Sequence, residues 1–308
     1  MISNDKDRRD FLKKGLTALG AVSLAPLAQS CSEKAPMGDK IKVLTPEGRV
    51  IEVDRSQISN GNNLVEYKPR KGVPGKKYVM VVDMARCQNA RKCVTSCNKN
   101  HMVTTPNEWL KIYSMQDSEN TAPYWQPVMC QHCDKPPCVK VCPVDATFKR
   151  EDGIVLIDND RCIGCRFCMA ACPYSARVFN WEDPNLNVDL VSLMEGHHHS
   201  PETSVPPQHG TVDKCDFCPD MLTKGELPHC VSACPNSVFY FGDQYEDVVT
   251  NGSETVRLSK LLKDRAGYRM MEDFGTSPSV YYLPPVDRQY EYEEGLENYT
   301  EFKDEKAD

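Results

Sequence analysis

The sequence predicts an α+β fold built from repeated short units, on two observations. Of its 308 residues, 16 are cysteine, far above ordinary usage, and all except Cys31 fall into four groups. The succession of a cysteine group and a β-rich run recurs along the chain, which indicates internal duplication. We therefore expect duplicated domains whose interior is occupied largely by cofactor.

The two central cysteine groups lie between Cys130 and Cys172. The first reads C-x2-C-x4-C-x3-C-P and the second reads C-x2-C-x2-C-x3-C-P. The second spacing is that of bacterial ferredoxins, in which three thiolates hold one iron–sulfur cluster and the fourth ligates a neighbouring cluster. Zinc, which prefers two separated cysteine pairs, and a disulfide scaffold are the alternatives. The spacing favours two adjacent iron–sulfur clusters over both.

The two outer groups are less regular. The first contains Cys87, Cys93 and Cys97, with Ala90 at the position where the central groups have their second cysteine. The last group, C-x2-C-x11-C-x3-C-P, begins at Cys215 and has a long loop before its third cysteine. An alanine cannot ligate iron, so one site is expected to lack a thiolate.

Local patterns predict several elements around these groups. β-rich runs at 41–45 and 50–53 flank a Pro/Gly turn and predict a hairpin. An apolar run at 78–83 predicts a buried strand, and the segment 148–157 predicts a hairpin with an Asp-Gly turn. Further strands are expected at 176–181 and 237–241, and a helix at 259–266.

The predicted organisation has four parts. They are a signal at 1–30, an extension with the hairpin at 31–76, a four-motif ferredoxin-like domain at 77–246, and a C-terminal extension with an extended acidic tail at 247–308. Within the third part, residues 182–212 are rich in Pro, Asn, Ser and His and indicate an inserted loop. Its three histidines, at 197–199, are expected to be solvated rather than to bind a metal.

Composition excludes several classes of function. The net charge is −7, and no Lys/Arg-rich block occurs outside the extreme N-terminus, which argues against nucleic-acid binding. No run of about 20 apolar residues follows residue 30, so no spanning helix is expected in the mature chain. We see no nucleophile–base pair, phosphate loop or open catalytic metal set, so the chain is not expected to be catalytic by itself.

The N-terminus has the pattern of an export signal. Arg8 and Arg9 precede a weakly apolar run at 15–27, which is typical of a Tat-type signal. This route suits a protein that is exported with its cofactors already inserted. Cys31 follows the apolar run and resembles a lipoprotein processing site, although Ala28 stands where leucine is usual. Acylation at Cys31 would tether the protein to a membrane; the alternative is a cysteine of no special role.

The motifs as a whole resemble one family. The segments that carry the resemblance are CQHCDKPPCVKVCP, DRCIGCRFCMAACPYSARVFNW and the closing SVYYLPP. Over residues 77–285 the chain resembles the four-cluster iron–sulfur subunit of the dimethyl sulfoxide, polysulfide, tetrathionate and thiosulfate reductases, which are molybdopterin oxidoreductases. The resemblance implies a periplasm-facing subunit that relays electrons between a molybdopterin catalytic subunit and a quinone-reactive membrane subunit.

The resemblance also implies crossed ligand sets, as in two-cluster ferredoxins. The implied sets are Cys130, Cys133, Cys138 and Cys172; Cys162, Cys165, Cys168 and Cys142; Cys215, Cys218, Cys230 and Cys97; and Cys87, Cys93 and Cys234. The three complete sets imply three 4Fe–4S clusters. At the incomplete set, a 3Fe–4S cluster is expected, and a 4Fe–4S cluster with another ligand or an empty site are the alternatives. Asn89 and His101 are the nearby residues to consider as ligands, although a histidine such as His101 is more often a loop or packing residue.

Two other functions remain open from the sequence. An iron–sulfur subunit of a membrane-bound nickel–iron hydrogenase would have the same arrangement of clusters, and so would a free periplasmic electron carrier. The absence of a C-terminal membrane helix favours the molybdopterin class.

Overall fold

The computed structural model describes residues 70–103, 106–119, 121–183, 200 and 205–286, and the backbone of 40–44 and 50–54. The export signal, Cys31, most of the loop predicted at 182–212 and the tail from residue 287 lie outside the described residues. What the sequence predicts for those segments stays a prediction.

The described strands are short and fall into several small sheets and one larger sheet. They are β1 (Lys40–Leu44), β2 (Val50–Asp54), β3 (Tyr78–Asp83), β4 (Lys111–Met115), β5 (Tyr124–Val128), β6 (Thr147–Lys149), β7 (Val155–Ile157), β8 (Val178–Phe179), β9 (Val212–Asp213), β10 (Phe239–Asp243), β11 (Val248–Thr250), β12 (Thr255–Arg257) and β13 (Val280–Leu283). β1 and β2 pair with each other, at the place where the sequence predicts the N-terminal hairpin.

A five-stranded sheet, in the order β12-β11-β10-β3-β13, supports the cysteine groups. β3 is antiparallel to β10 and parallel to β13. Successive side chains of a strand point to opposite faces, and the apolar residues of β3 accordingly divide between two cores. Met80 and Val82 belong to the main core, and Val79 and Val81 to a second one. The strand predicted at 78–83 is therefore confirmed, and both of its faces are covered.

This sheet crosses the domain boundary that the sequence predicts after residue 246. β11, β12 and β13 come from the segment expected to be a C-terminal extension, and they complete the sheet begun by β3 and β10. The parallel pairing of β13 with β3 joins residues far apart in the chain. Local patterns cannot indicate such a pairing, because it depends on which distant strand offers a free edge.

Three antiparallel pairs surround the sheet: β4 with β5, β6 with β7, and β8 with β9. The β6–β7 pair is the hairpin predicted at 148–157. β8 occupies only part of the strand predicted at 176–181. Next to it, Asn180 and Gly210 are joined by a backbone hydrogen bond of 2.9 Å. This bond joins a residue just before the segment predicted as an insertion to a residue near the end of that segment.

The helices are mostly single turns. They are α1 (Lys92–Asn100), α2 (Pro137–Lys140), α3 (Phe167–Ala170), α4 (Pro219–Leu222), α5 (His229–Ser232) and α6 (Leu258–Asp264). α2 packs against α3, and α1 packs against α5, so the two central cysteine groups meet each other and the two outer groups meet each other. α6 lies where the sequence predicts a helix. Within the described residues, no helix has the length and apolar character needed to cross a membrane.

Candidate metal centres

Four cavities, with empty volumes of about 260 to 340 Å³, are lined by cysteines from two different groups each. The Cys130 cavity is lined by Cys130, Cys133, Cys138 and Cys172; the Cys162 cavity by Cys142, Cys162, Cys165 and Cys168; the Cys215 cavity by Cys97, Cys215, Cys218 and Cys230; and the Cys87 cavity by Cys87, Cys93 and Cys234. The fold thus brings together the cysteines of each set that the resemblance implies.

The four cysteine loops share one backbone turn. In each loop the residue two positions after the first cysteine has a left-handed conformation, and these residues are Asn89, His132, Gly164 and Phe217, with φ between 42° and 68°. This conformation is uncommon for residues other than glycine, and it is tolerated where the surroundings require it. In turns, such a residue can direct successive N–H groups toward one concavity, a type of anion site that occurs at iron–sulfur clusters. The loop containing Ala90 has the same turn as the three complete loops.

Backbone N–H groups point at several of the thiols. Burial alone would raise the pKa of Cys142, but the N–H groups of Val144, Ala146 and Thr147 hold that pKa below its ordinary value. The N–H of Val238 donates to the sulfur of Cys234 at 3.4 Å. Such hydrogen bonds stabilise the thiolate, which is the form that binds metal.

Several of the cavity thiols are buried beside one another, and this raises their pKa values. Burial, and then the neighbouring Cys234 thiolate, raise the pKa of Cys93 to about 12, and similar causes raise that of Cys133 to about 12. Burial and the surrounding thiolates also hold the pKa values of Cys215 and Cys230 well above their ordinary range. Several thiolates facing one cavity therefore require a cationic partner, and metal binding displaces the protons. Clustered sulfur donors on these loops fit iron–sulfur clusters.

The cavities lie in series. Packing identifies the neighbours: Cys138 and Cys168 share one buried cluster, Cys215 packs against the cluster that contains Cys130, and Cys93 and Cys230 share the main core. Each of these pairs joins two different cavities. The order is therefore the Cys162, Cys130, Cys215 and Cys87 cavities, with the Cys162 and Cys87 cavities at the ends.

His101 lies at the Cys215 cavity, and not at the Ala90 position for which the sequence suggested it. Its Nε2 is 3.3 Å from Oδ1 of Asp216 and 3.7 Å from the sulfur of Cys218. Its Nδ1 donates to the carbonyl of Cys97 at 2.9 Å. The reason is helical spacing: α1 places His101 one turn after Cys97, and Cys97 belongs to the Cys215 cavity.

The surroundings of His101 favour its charged form. Burial lowers its pKa, but Asp216 and the thiolates of Cys218 and Cys97 raise it well above the ordinary value. Asp216 also accepts the N–H of Cys218 at 2.8 Å, so it orients both the histidine and the cysteine loop. Neither the histidine nor its carboxylate partner belongs to a cysteine motif, and sequence spacing carried no signal for Asp216.

The Cys87 cavity has Ala90 at its wall together with Gln88, Arg91 and Lys92. Asn89 is not among the described residues that line it, although its side-chain oxygen is buried without a hydrogen-bond partner. His101, the other residue considered as a substitute ligand, is also not among the described residues that line this cavity.

Comparison with known proteins gives a consistent result. A family model described as a 4Fe-4S dicluster domain matches residues 121–188. A component of the selenate reductase of Mesobacillus selenatarsenatis is 33% identical, over 91% of this chain and 98% of that protein. A component of the tetrathionate reductase of Salmonella typhimurium is 32% identical, over 92% of this chain and 90% of that protein.

A third relative has a name that refers to a quinone. The menaquinone reductase iron-sulfur cluster-binding subunit of Nitratidesulfovibrio vulgaris is 35% identical, over 67% of this chain and 88% of that protein. The family match, the extent of these similarities and the cysteine-lined cavities agree. The chain belongs to the family of iron–sulfur subunits that transfer electrons in multi-subunit reductases of the dimethyl sulfoxide, selenate and tetrathionate type.

Proposed function

We propose that the chain relays electrons along four clusters, between a quinone-reactive membrane subunit and a molybdopterin catalytic subunit. The observation that carries this proposal is the series of four cysteine-lined cavities, each closed by cysteines from two groups. Bound clusters would supply the one-electron chemistry. The chain's own residues hold them in order, exclude water from most of the thiols and direct N–H groups at the sulfur atoms.

The proposed inventory is three 4Fe–4S clusters and one 3Fe–4S cluster at the Cys87 cavity. Three thiols and Ala90 support the smaller cluster, because the corner iron next to an alanine has no protein ligand. The shared left-handed turn at Asn89 supports a cluster of some kind at this loop rather than an empty site.

The two ends of the series suggest different partners. Ile163 and the exposed Arg166 line the Cys162 cavity, and the Arg166 guanidinium lies over the ring of Trp181. Ile163, Trp181 and Phe167, which follows Arg166 in the chain, are between 60 and 65% exposed. An exposed group of large apolar side chains is typical of a protein interface. At the Cys87 end, the exposed residues Arg91 and Lys92 line the cavity. We assign the apolar end to the membrane subunit and the polar end to the catalytic subunit.

The proposed location is periplasm-facing and membrane-associated, after export by the Tat route. The twin arginine at Arg8 and Arg9 supports the route, and a partner subunit or an acyl chain on Cys31 would supply the membrane association. Hydrogenase-linked and free-carrier functions are less favoured, since the three relatives are reductase components.

Electron paramagnetic resonance of the anaerobically purified protein, with iron quantified, tests the proposal. The 3Fe–4S form is paramagnetic when oxidised, so we expect an oxidised-state signal near one spin per chain and about 15 irons. Cys93→Ala should abolish this signal, whereas Cys31→Ser, outside every group, should leave it unchanged.

Two results would count against the proposed cluster inventory or the proposed function. An oxidised protein that is silent and carries about 16 irons would show that another ligand completes the fourth cluster. Very little iron in either oxidation state would contradict the proposed electron-relay function itself.

A further inference from the structure

Arg177 is a buried arginine that lies between two neighbouring cavities. It lines the Cys130 cavity, and only 5% of the residue is exposed. Thr147, whose hydroxyl accepts a hydrogen bond from Nη1 of Arg177, lines the Cys162 cavity, and Cys138 and Cys168 of the two cavities pack in one buried cluster. One side chain therefore reaches both members of the central pair of cavities.

The other contacts of Arg177 leave its charge without a carboxylate. Nη1 donates to Oγ1 of Thr147 at 3.3 Å, and Nη2 is buried with no hydrogen-bond partner. None of the ion pairs formed among the described residues includes Arg177. An arginine does not lose its proton in a protein, and an isolated buried charge is strongly unfavourable. The side chain is thus built to face an anionic group, and the two cavities are where such groups would lie.

The fold itself does not demand an arginine at this place. Arg177 stands five residues after Cys172, and Phe239 stands five residues after Cys234 in the outer pair. The same left-handed turn precedes both, at Ser175 and Ser237. Phe239 is also buried, with 1% of the residue exposed. One backbone geometry thus accepts an apolar ring in the outer pair and a cation in the central pair.

We propose that Arg177 is a positioning residue that raises the reduction potentials of the two central clusters and couples them. This inference rests on the proposed function, because it requires clusters in the Cys130 and Cys162 cavities. Each electron adds a negative charge to a cluster, and a fixed cation between the sites stabilises the reduced form of both. It also weakens the repulsion between the two reduced clusters, so that both can be reduced over a narrow range of potential.

A redox titration of the purified protein, followed by electron paramagnetic resonance, tests this with Arg177→Gln. We expect the ratio of reduced to oxidised cluster, at a given potential, to fall about tenfold for both central clusters. For a one-electron couple this is a shift of about 59 mV to more negative potential. The potentials of the clusters in the Cys215 and Cys87 cavities should move much less.

Arg150→Gln is the matched control, since Arg150 is equally buried but is paired with Asp152. It should leave all four potentials unchanged. Arg177→Lys provides a second variant that keeps the charge. A lysine carries a compact charge instead of a forked guanidinium, so it cannot serve both sites, and at least one central potential should fall.

The outcomes separate the two proposals. A wild-type protein without clusters contradicts the proposed function. A wild-type protein with four clusters, whose central potentials stay in place in Arg177→Gln, overturns the role of Arg177 alone. If Arg177→Gln does not assemble, Arg177→Lys decides: a shift confined to the central clusters supports the inference, and unchanged potentials overturn it.

Discussion

At the Cys162 end of the series, the cavity is surrounded by four cysteines and by a rim of exposed apolar residues with Arg166. At the Cys87 end, it is surrounded by three cysteines, Ala90 and a polar rim. The loops at both ends nevertheless make the same left-handed turn, at Gly164 and Asn89. The turn is therefore present whatever the ligand count, and it is a conformation that occurs at anion sites made of N–H groups. The residue at the second cysteine position and the residues of the rim then decide which cluster is held and which partner can approach it.

Removal of the iron should have the largest effect, and it should affect both ends alike. The helices next to the cysteines, such as α2 and α3, are single turns that cannot be stable alone. We expect the chelated, reduced protein to lose its cooperative thermal transition, as measured by circular dichroism, because cluster binding contributes to folding. Reconstitution with iron and sulfide should restore the transition. An apoprotein that melts at the temperature of the holoprotein would contradict this.

Cys165→Ala should make the Cys162 cavity resemble the Cys87 cavity, because each would then have three cysteines. Cys165 occupies the second position of its group, as Ala90 does in the first group. We expect about one iron fewer per chain and a second oxidised-state paramagnetic signal, since a corner iron loses its thiolate. Iron analysis and electron paramagnetic resonance measure both. An unchanged spectrum would mean that Cys165 is not a ligand.

Ala90→Cys is the reverse change. Ala90 lines the Cys87 cavity and is exposed, so a thiol can be added there without disturbing the core. We expect about one additional iron and loss of the oxidised-state signal, while the other clusters keep their potentials. A signal that persists in a variant with the same iron content would show that Ala90 does not stand at the open corner.

The smallest expected effect is on binding at the apolar rim. Phe167→Ser removes an aromatic side chain that would contribute about 1.5–3 kcal/mol if a partner buried it. We expect roughly a tenfold or greater loss of affinity for the membrane subunit, measured by co-purification at several concentrations. Tyr245→Ser, which removes another exposed ring away from the cavities, is the control. Equal losses of affinity in both variants would contradict the assignment of the apolar rim to the membrane subunit.

Several elements could be predicted from local sequence because their causes are local. The apolar run of β3, the Asp-Gly turn between β6 and β7, and the helix near Leu258 each depend on a few neighbouring residues. The extent of the larger sheet could not be predicted in this way. β13 pairs with β3, although almost the whole ferredoxin-like region separates the two strands in the chain. The short sequence of β13 does not indicate which strand it pairs with.

The sequence by itself determined that the cysteine groups fit iron–sulfur clusters, because cysteine spacing reflects the size of a cluster and the short loop that surrounds it. It also determined that one site lacks a thiolate, at Ala90. Only the tertiary structure decided the order of the cavities, the place of His101 at the Cys215 cavity, and the position of Arg177 between two cavities. Those features depend on residues that are distant in the chain and meet only when the helices pack, and a charge acts on a cluster through space and not along the sequence.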